Sequence, residues 1–144
     1  MDNLYRDFIL EHYREPHNRG VLDPADLQFA DSNPTCGDEL SMTLRLDPSG
    51  QRVADVAFDG RGCAISQASA SIMTDGLRGL TLGELRDLDP RKVLADLGVP
   101  IGPARLKCAL LGYKVLQGAV TGGEASWPDE AQVLGDASGG GSAP

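Results

Sequence analysis

Leu40-Ser41-Met42-Thr43-Leu44-Arg45-Leu46-Asp47-Pro48-Ser49-Gly50-Gln51-Arg52-Val53-Ala54-Asp55-Val56-Ala57-Phe58 contains two alternating runs separated by a turn. In the first, Leu40, Met42, Leu44 and Leu46 fall on one side and Ser41, Thr43 and Arg45 on the other, the period-two pattern of a half-buried strand. Asp47-Pro48-Ser49-Gly50 supplies the turn, because Pro fixes φ and Gly tolerates a positive one. The second run sets Ala54, Val56 and Phe58 against Val53, Asp55 and Ala57. The two runs predict an antiparallel hairpin.

The flanks read as helices and loops. Leu4 to Tyr13 predicts a short helix with Leu4, Phe8, Ile9 and His12 near one face, stopped at Glu15-Pro16 because the residue before proline avoids the helical region. A loop with Gly20, Asp23-Pro24 and Asp31-Ser32-Asn33-Pro34 follows. After the hairpin, Asp59-Gly60-Arg61-Gly62 is expected to break the strand. A helix then runs from about Cys63 to about Leu77, built on Ala64, Ser66, Ala68, Ser69, Ala70 and Ser71, with Gly79 as its C-cap. Thr81-Leu82-Gly83-Glu84 fits a capping box. Pro90 opens a further helix that ends near Gly98. Pro103 begins the last, with Leu106, Leu110, Tyr113 and Leu116 at helical spacing. From Thr121, Gly, Ser, Ala and acidic residues dominate, so 121–144 reads as a disordered tail behind a 1–120 domain.

The bulk numbers narrow the function. A chain of 144 residues, 41% of them hydrophobic, is of single-domain length and can bury a core. The net charge of −8, with no basic stripe, argues against nucleic-acid binding. No apolar run approaches the roughly 20 residues of a membrane span, and Met1-Asp2-Asn3-Leu4-Tyr5-Arg6-Asp7 is not a secretory signal. Three cysteines, an odd count, do not suit a secreted disulfide framework. A reducing cytoplasm fits better, and there thiols more often mean metal or redox chemistry.

The cysteines lie in Asn33-Pro34-Thr35-Cys36-Gly37-Asp38, in Gly60-Arg61-Gly62-Cys63-Ala64 and in Arg105-Leu106-Lys107-Cys108-Ala109. Gly37 lets the backbone curl between two potential ligands. Cys63 falls at a helix N-terminus, where free amides favour thiolate. Lys107 and Arg105 would favour the anion at Cys108. Any one of these thiols alone would read as a small buried hydrophobe. As a set with Asp38, they read as a site for a soft or borderline metal, part of an iron–sulfur cluster, or sulfur carried as persulfide. No Cys-x-x-Cys occurs, so the spacing is not that of a zinc finger. His12 reads as a partly buried helix residue, His17 as a loop residue, and Tyr5 and Tyr13 as packing residues.

These residues resemble the iron–sulfur cluster assembly scaffold family, the IscU/SufU/NifU N-terminal-domain group, from about Leu4 to about Val120. The resemblance rests on His12-Tyr13-Arg14-Glu15-Pro16-His17-Asn18 and on the three cysteine motifs in order. It implies an α+β fold in which a three-stranded antiparallel sheet packs against helices, with the cysteines gathered at one exposed end. The third strand would lie around Leu27 to Ala30. It also implies that Cys36, Asp38, Cys63 and Cys108 hold metal or cluster, zinc in the isolated protein and a [2Fe–2S] cluster transiently. Sulfur would arrive from a cysteine desulfurase as a persulfide on one cysteine, with Cys36, Cys108 and Lys107 as the reactive group. Downstream apo iron–sulfur proteins or carriers would take the product. The alternative is a zinc-dependent sulfurtransferase that never holds a cluster. Lys107, where the IscU-like subgroup has histidine, resembles the SufU-like subgroup. The 45-position step from Cys63 to Cys108 resembles the IscU-like one, since it leaves little room for a SufU-type insertion of roughly twenty residues, long for a connection.

Overall fold

The structure is a computed structural model, and it describes residues 2–130 and residue 133. In chain order it runs α1 (Asp2–Arg14), β1 (Leu27–Asn33), β2 (Asp38–Leu46), β3 (Val53–Arg61), α2 (Ala64–Asp75), α3 (Leu82–Arg86) and α4 (Pro90–Leu97). A 3-10 turn at Pro103–Arg105 then leads into α5 (Leu106–Thr121). The three strands form one antiparallel sheet in the order β1-β2-β3, so the fold is α+β.

The alternating hairpin sets the core. Met42 pairs with Phe58 and Leu44 with Val56, and a register shift between Arg45 and Leu46 brings Leu46 opposite Val53. Leu40, Met42, Leu44, Val56 and Phe58 are all buried. Leu106, Leu110, Leu111, Val115 and Leu116 of α5 join them in one cluster, with Ala70, Met73 and Leu77 from the α2 side. Burying a side chain of this size contributes about 1.5–3 kcal/mol each. Small residues let α5 approach α2 and β1 closely. A Cβ on Gly112 would sit 3.5 Å from Ala70, and one on Gly118 would sit 2.3 Å from the ring of Phe29. The Ser69 hydroxyl donates to the Ala109 carbonyl at 2.7 Å, tying α2 to α5 one residue beyond the third cysteine.

The turn at Asp47–Gly50 forms as expected: Gly50 N–H donates to the Asp47 carbonyl, and Gly50 has φ +74°. The capping box at Thr81 and Glu84 is complete, Pro90 opens α4 over the Asp89 cap, and Gly98 ends it in the left-handed region.

Elsewhere the structure corrects the sequence reading. β3 does not break at Asp59 but continues to Arg61, opposite Glu39. Gly60 allows this, because a Cβ there would lie 2.2 Å from the Glu39 carbonyl oxygen. The α2 C-cap is Gly76, and Gly79 serves the next turn, its N–H donating to the Val53 carbonyl. Pro103 starts the 3-10 turn, and α5 proper begins at Leu106. Phe8 is 40% exposed, so Ile9 and His12, and not Phe8, carry the buried face of α1. The described part of the expected tail lies against the body: Trp127 packs on the core and Val133 is buried within it. Positions 131, 132 and 134–144, also assigned to the tail, lie outside the described residues. Among the described residues, no helix is long and apolar enough to cross a membrane.

Candidate metal centre

The β1–β2 hairpin presents the first cysteine. Asn33 and Asp38 form its last pair, and Pro34-Thr35-Cys36-Gly37 is the loop. Cys36 N–H and Gly37 N–H both donate to the Asn33 carbonyl, at 3.2 and 2.8 Å. Gly37 has φ +75°, a conformation that costs a side-chain-bearing residue, and open space around it. Cys36 is exposed at the tip. Asp38 is not itself in the loop. It is the first residue of β2, on the inward face, and fully buried.

Cys63 is the N-cap residue of α2. Its N–H donates to Asp38 Oδ1 at 2.9 Å, fastening the helix end to the carboxylate. Gly62 makes that contact possible, because a Cβ there would sit 2.3 Å from Asp38 Oδ1 and 2.7 Å from Ser66 Oγ. Cys108 lies in the first turn of α5 and is buried. Its thiol donates to Cys36 Sγ across 3.5 Å.

The fold thus brings Cys36, Asp38 and Cys108 together, with one ligand atom from each within 4.8 Å of the others. Cys63 does not belong to that tight group, but its thiol is a neighbour of Cys108. Burial pushes the Cys108 thiol well up. The hydrogen bond to Cys36, the nearby Cys63 thiol and the Asp38 carboxylate add to it. This corrects the expectation that Lys107 and Arg105 would make Cys108 an anion. Lys107 lies over the Trp127 ring, 5.4 Å from its centroid, and lines the same cleft as Cys36, and Lys114 lies 4.9 Å from the same ring.

Hydrogen-bond accounting singles the site out. Among the described residues, four buried side-chain atoms lack a partner: Asp38 Oδ2, both amide atoms of Asn33, and Gln67 Oε1. Asn33 is paired with Asp38 across the hairpin, and Gln67 lies one turn along α2 from Cys63, its backbone N–H donating to the Cys63 carbonyl at 3.2 Å. A buried carboxylate oxygen without a partner costs free energy unless something binds it. Two thiols beside it, with a third adjacent, are a donor set that suits zinc or iron. The residues therefore fit a metal or cluster.

The histidines form a separate group with Asp75. His12 Nδ1 meets Ser71 Oγ at 2.7 Å, His17 N–H donates to the same hydroxyl at 2.8 Å, and His17 Nδ1 meets Asp75 Oδ2 at 2.7 Å. Asn18 donates to Thr74 and Asp75. The motif around His12 is thus a latch that fastens α1 and the loop after it to α2. Sequence reasoning missed Asn33, Gln67 and Trp127. For Asn33 a signal existed: Leu27, Phe29, Asp31 and Asn33 alternate toward the inner face of β1.

Comparison with known proteins adds a family. The model of the NifU-like N terminal domain matches residues 4–125. The zinc-dependent sulfurtransferase SufU of Bacillus subtilis is 39% identical over 137 residues, covering 83% of this chain and 91% of the relative. The iron–sulfur cluster assembly scaffold protein IscU of Streptococcus pyogenes is 33% identical, covering 83% and 84%. In structure, a putative iron–sulfur cluster assembly scaffold protein for the SUF system from Fervidobacterium islandicum superposes with a TM-score of 0.68 at 29% identity, covering 79% of this chain and 94% of that one.

Proposed function

We propose a function from the premise that the chain belongs to the NifU-like N-terminal domain family. It is an iron–sulfur cluster assembly protein that accepts sulfur from a cysteine desulfurase and offers Cys36, Asp38, Cys63 and Cys108 to a nascent [2Fe–2S] cluster or a metal. The observation that carries this is the unpartnered, fully buried Oδ2 of Asp38 beside the Cys36–Cys108 thiol pair. A carboxylate among thiolates gives way more readily than a fourth thiolate would, which suits a site that hands its cargo to apo iron–sulfur proteins.

Cys36 is the sulfur acceptor in this reading, because it is the exposed thiol of the three. Its thiolate attacks the outer sulfur of the donor's persulfide. A new S–S bond forms on Cys36, the donor's S–S bond breaks, and the donor leaves as thiolate, with no net oxidation. Lys107 lines the same cleft as Cys36, and its ammonium would stabilise the resulting perthiolate anion. Cys108, buried and held neutral by its surroundings, serves as a ligand and not as the first nucleophile. A reducing cytoplasm suits three free thiols. Neither nucleic acid nor membrane is a partner in this reading, and 1–120 is the assembly domain.

The zinc-dependent sulfurtransferase reading is favoured by one observation, the likeness to the Bacillus subtilis protein of that name. Zinc, when bound, would supply a charge that keeps its coordinating thiols deprotonated at neutral pH. Mass spectrometry after reaction with a cysteine desulfurase and cysteine tests the shared core of both readings. One added sulfur on Cys36, lost in Cys36→Ser, is the expected result. Sulfur on Cys63, or on no cysteine, would overturn the assignment.

A further inference from the structure

Cys63 caps one end of α2, and Asp75 is the last residue at the other, roughly 18 Å away at 1.5 Å per residue. At that far end His12, His17 and Asp75 converge, with one ligand atom from each within 4.8 Å of the others. A latch between two helices needs only a donor and an acceptor. This one is built from two imidazoles whose ring centroids stand 4.5 Å apart, with a carboxylate against the second. Two rings this close disfavour a positive charge on either, and the neutral ring is the form that ligates metals.

The surroundings match those of a metal site. Ligating histidines engage their second ring nitrogen with an oxygen, and ligating carboxylates are themselves hydrogen-bonded. His12 Nδ1 meets Ser71 Oγ at 2.7 Å, which leaves Nε2 without a hydrogen-bond partner among the described residues. Asn18 Nδ2 donates to Asp75 Oδ1 at 3.0 Å, so Oδ2 is the oxygen turned to His17. The His17 and Asp75 side chains are 54% and 44% exposed. They are therefore able to close on an ion, which would keep water in its remaining positions.

We propose that His12, His17 and Asp75 form a second cation site, separate from the cysteines, for a borderline divalent ion, ferrous iron or zinc. Two imidazoles and one carboxylate with open positions are a recurrent ligand set for ferrous iron, and the same groups bind zinc. Ligands about 2.1 Å from one ion stand roughly 3–3.5 Å apart, so a shift of about 1–2 Å completes the set. The ion replaces the hydrogen bond between His17 Nδ1 and Asp75 Oδ2, and the ring proton moves to Nε2. Because His12 and His17 come from α1 and the loop after it, and Asp75 from α2, the bound cation clamps the two helices together. The site does not depend on sulfur transfer, so failure of the function proposed above leaves it standing.

The test uses the full chain carrying one equivalent of zinc. His12 and His17 are its two histidines, so the imidazole signals of a proton NMR spectrum report on this site alone. Further zinc is added in steps at about pH 7.5, above the ordinary imidazole range, and ferrous iron is added to a second sample without oxygen. The expected result is that both rings respond together, by shift with zinc or by broadening with iron. Asp75→Asn and His17→Gln, both at exposed positions, should weaken binding about tenfold or more. Cation at about a hundred times its Kd should raise the melting temperature of wild type by roughly 5–10 °C, and that of Asp75→Asn by much less. A response to one ion and not the other identifies the cation and supports the site. Imidazole signals unmoved at millimolar zinc and iron would overturn the proposal. A response of one ring alone, or binding undiminished in Asp75→Asn, would overturn it as well.

Discussion

Replacing Gly62 by alanine should dismantle the site from one methyl group. Gly62 has φ +157°, and its Cβ would fall 2.3 Å from Asp38 Oδ1, 2.9 Å from Asp38 Cγ and 2.7 Å from Ser66 Oγ. The backbone strain alone costs about 1–3 kcal/mol. The carboxylate cannot swing aside freely, because Asp38 is anchored in β2 and Oδ1 accepts from Cys63 N–H. Relief therefore breaks that charge-assisted bond, for a further loss of about 1.5–3 kcal/mol. The sum of roughly 3–6 kcal/mol corresponds to a fall in melting temperature of roughly 10–20 °C for a chain of this length. Gly37→Ala is the matched control. Its φ of +75° is also unfavourable, but no atom lies within 4 Å of the added methyl. It should cost about 1–2 kcal/mol and keep its metal. Circular dichroism melts of the zinc-loaded and metal-free forms, with zinc counted by elemental analysis, give both readouts. A Gly62→Ala protein with a full zinc complement and a melting temperature within a few degrees of wild type would refute the reasoning.

Two further outcomes follow from the same geometry. In metal-free protein, iodoacetamide should modify Cys36 first, Cys63 next and Cys108 last, since the three are exposed, half-buried and buried in that order and burial raises the Cys108 thiol; peptide mapping reads the order, and Cys108 reacting first would contradict the packing. His12 should make the fold acid-sensitive: burial and the neighbouring His17 lower it, against smaller opposing effects of Asp75 and Glu11. The folded state then resists a proton that the unfolded state takes up. Stability is present above pH about 6.5 and is lost as pH falls through the depressed folded value. Denaturant melts between pH 7 and pH 5 should show a slope that is shallower in His12→Gln, and an unchanged slope would remove His12 from the account.

Much of this was legible in the chain. The alternation of Leu40 to Phe58 determines two strands of the sheet, because a one-residue slip would turn Met42 and Leu44 to solvent. The Thr81 capping box and the Pro90–Gly98 helix could be read because their signals are local. Position β1 was harder: Gln28, Ala30 and Ser32 carry little strand propensity, and the strand exists because Phe29 packs on Gly118, far along the sequence. The length of β3 was hidden for a related reason. Gly60 looks like a breaker locally, yet it is the residue that lets the Glu39 backbone pass.

The cysteine site divides in the same way. Cys36 and Asp38 announce themselves by spacing, and Cys63 by the glycine before it. The protonation of Cys108 could not be read from Lys107, because neighbours in sequence on a helix point in different directions. The lysine turns to Trp127 and the thiol turns inward. Trp127 itself lay in a segment whose composition suggested disorder, and only its packing partners place it on the body.

The central claim is that Cys36, Asp38, Cys63 and Cys108 form a site on which an iron–sulfur cluster is assembled from desulfurase-derived sulfur. Its most direct test is an anaerobic reaction of the full chain with a cysteine desulfurase, cysteine and ferrous iron, followed by visible absorption and metal analysis. The account predicts a protein-bound cluster that each of Cys36→Ser, Cys63→Ser and Cys108→Ser abolishes. Retained zinc, no cluster and faster desulfurase turnover would contradict it and identify the chain as a sulfur carrier.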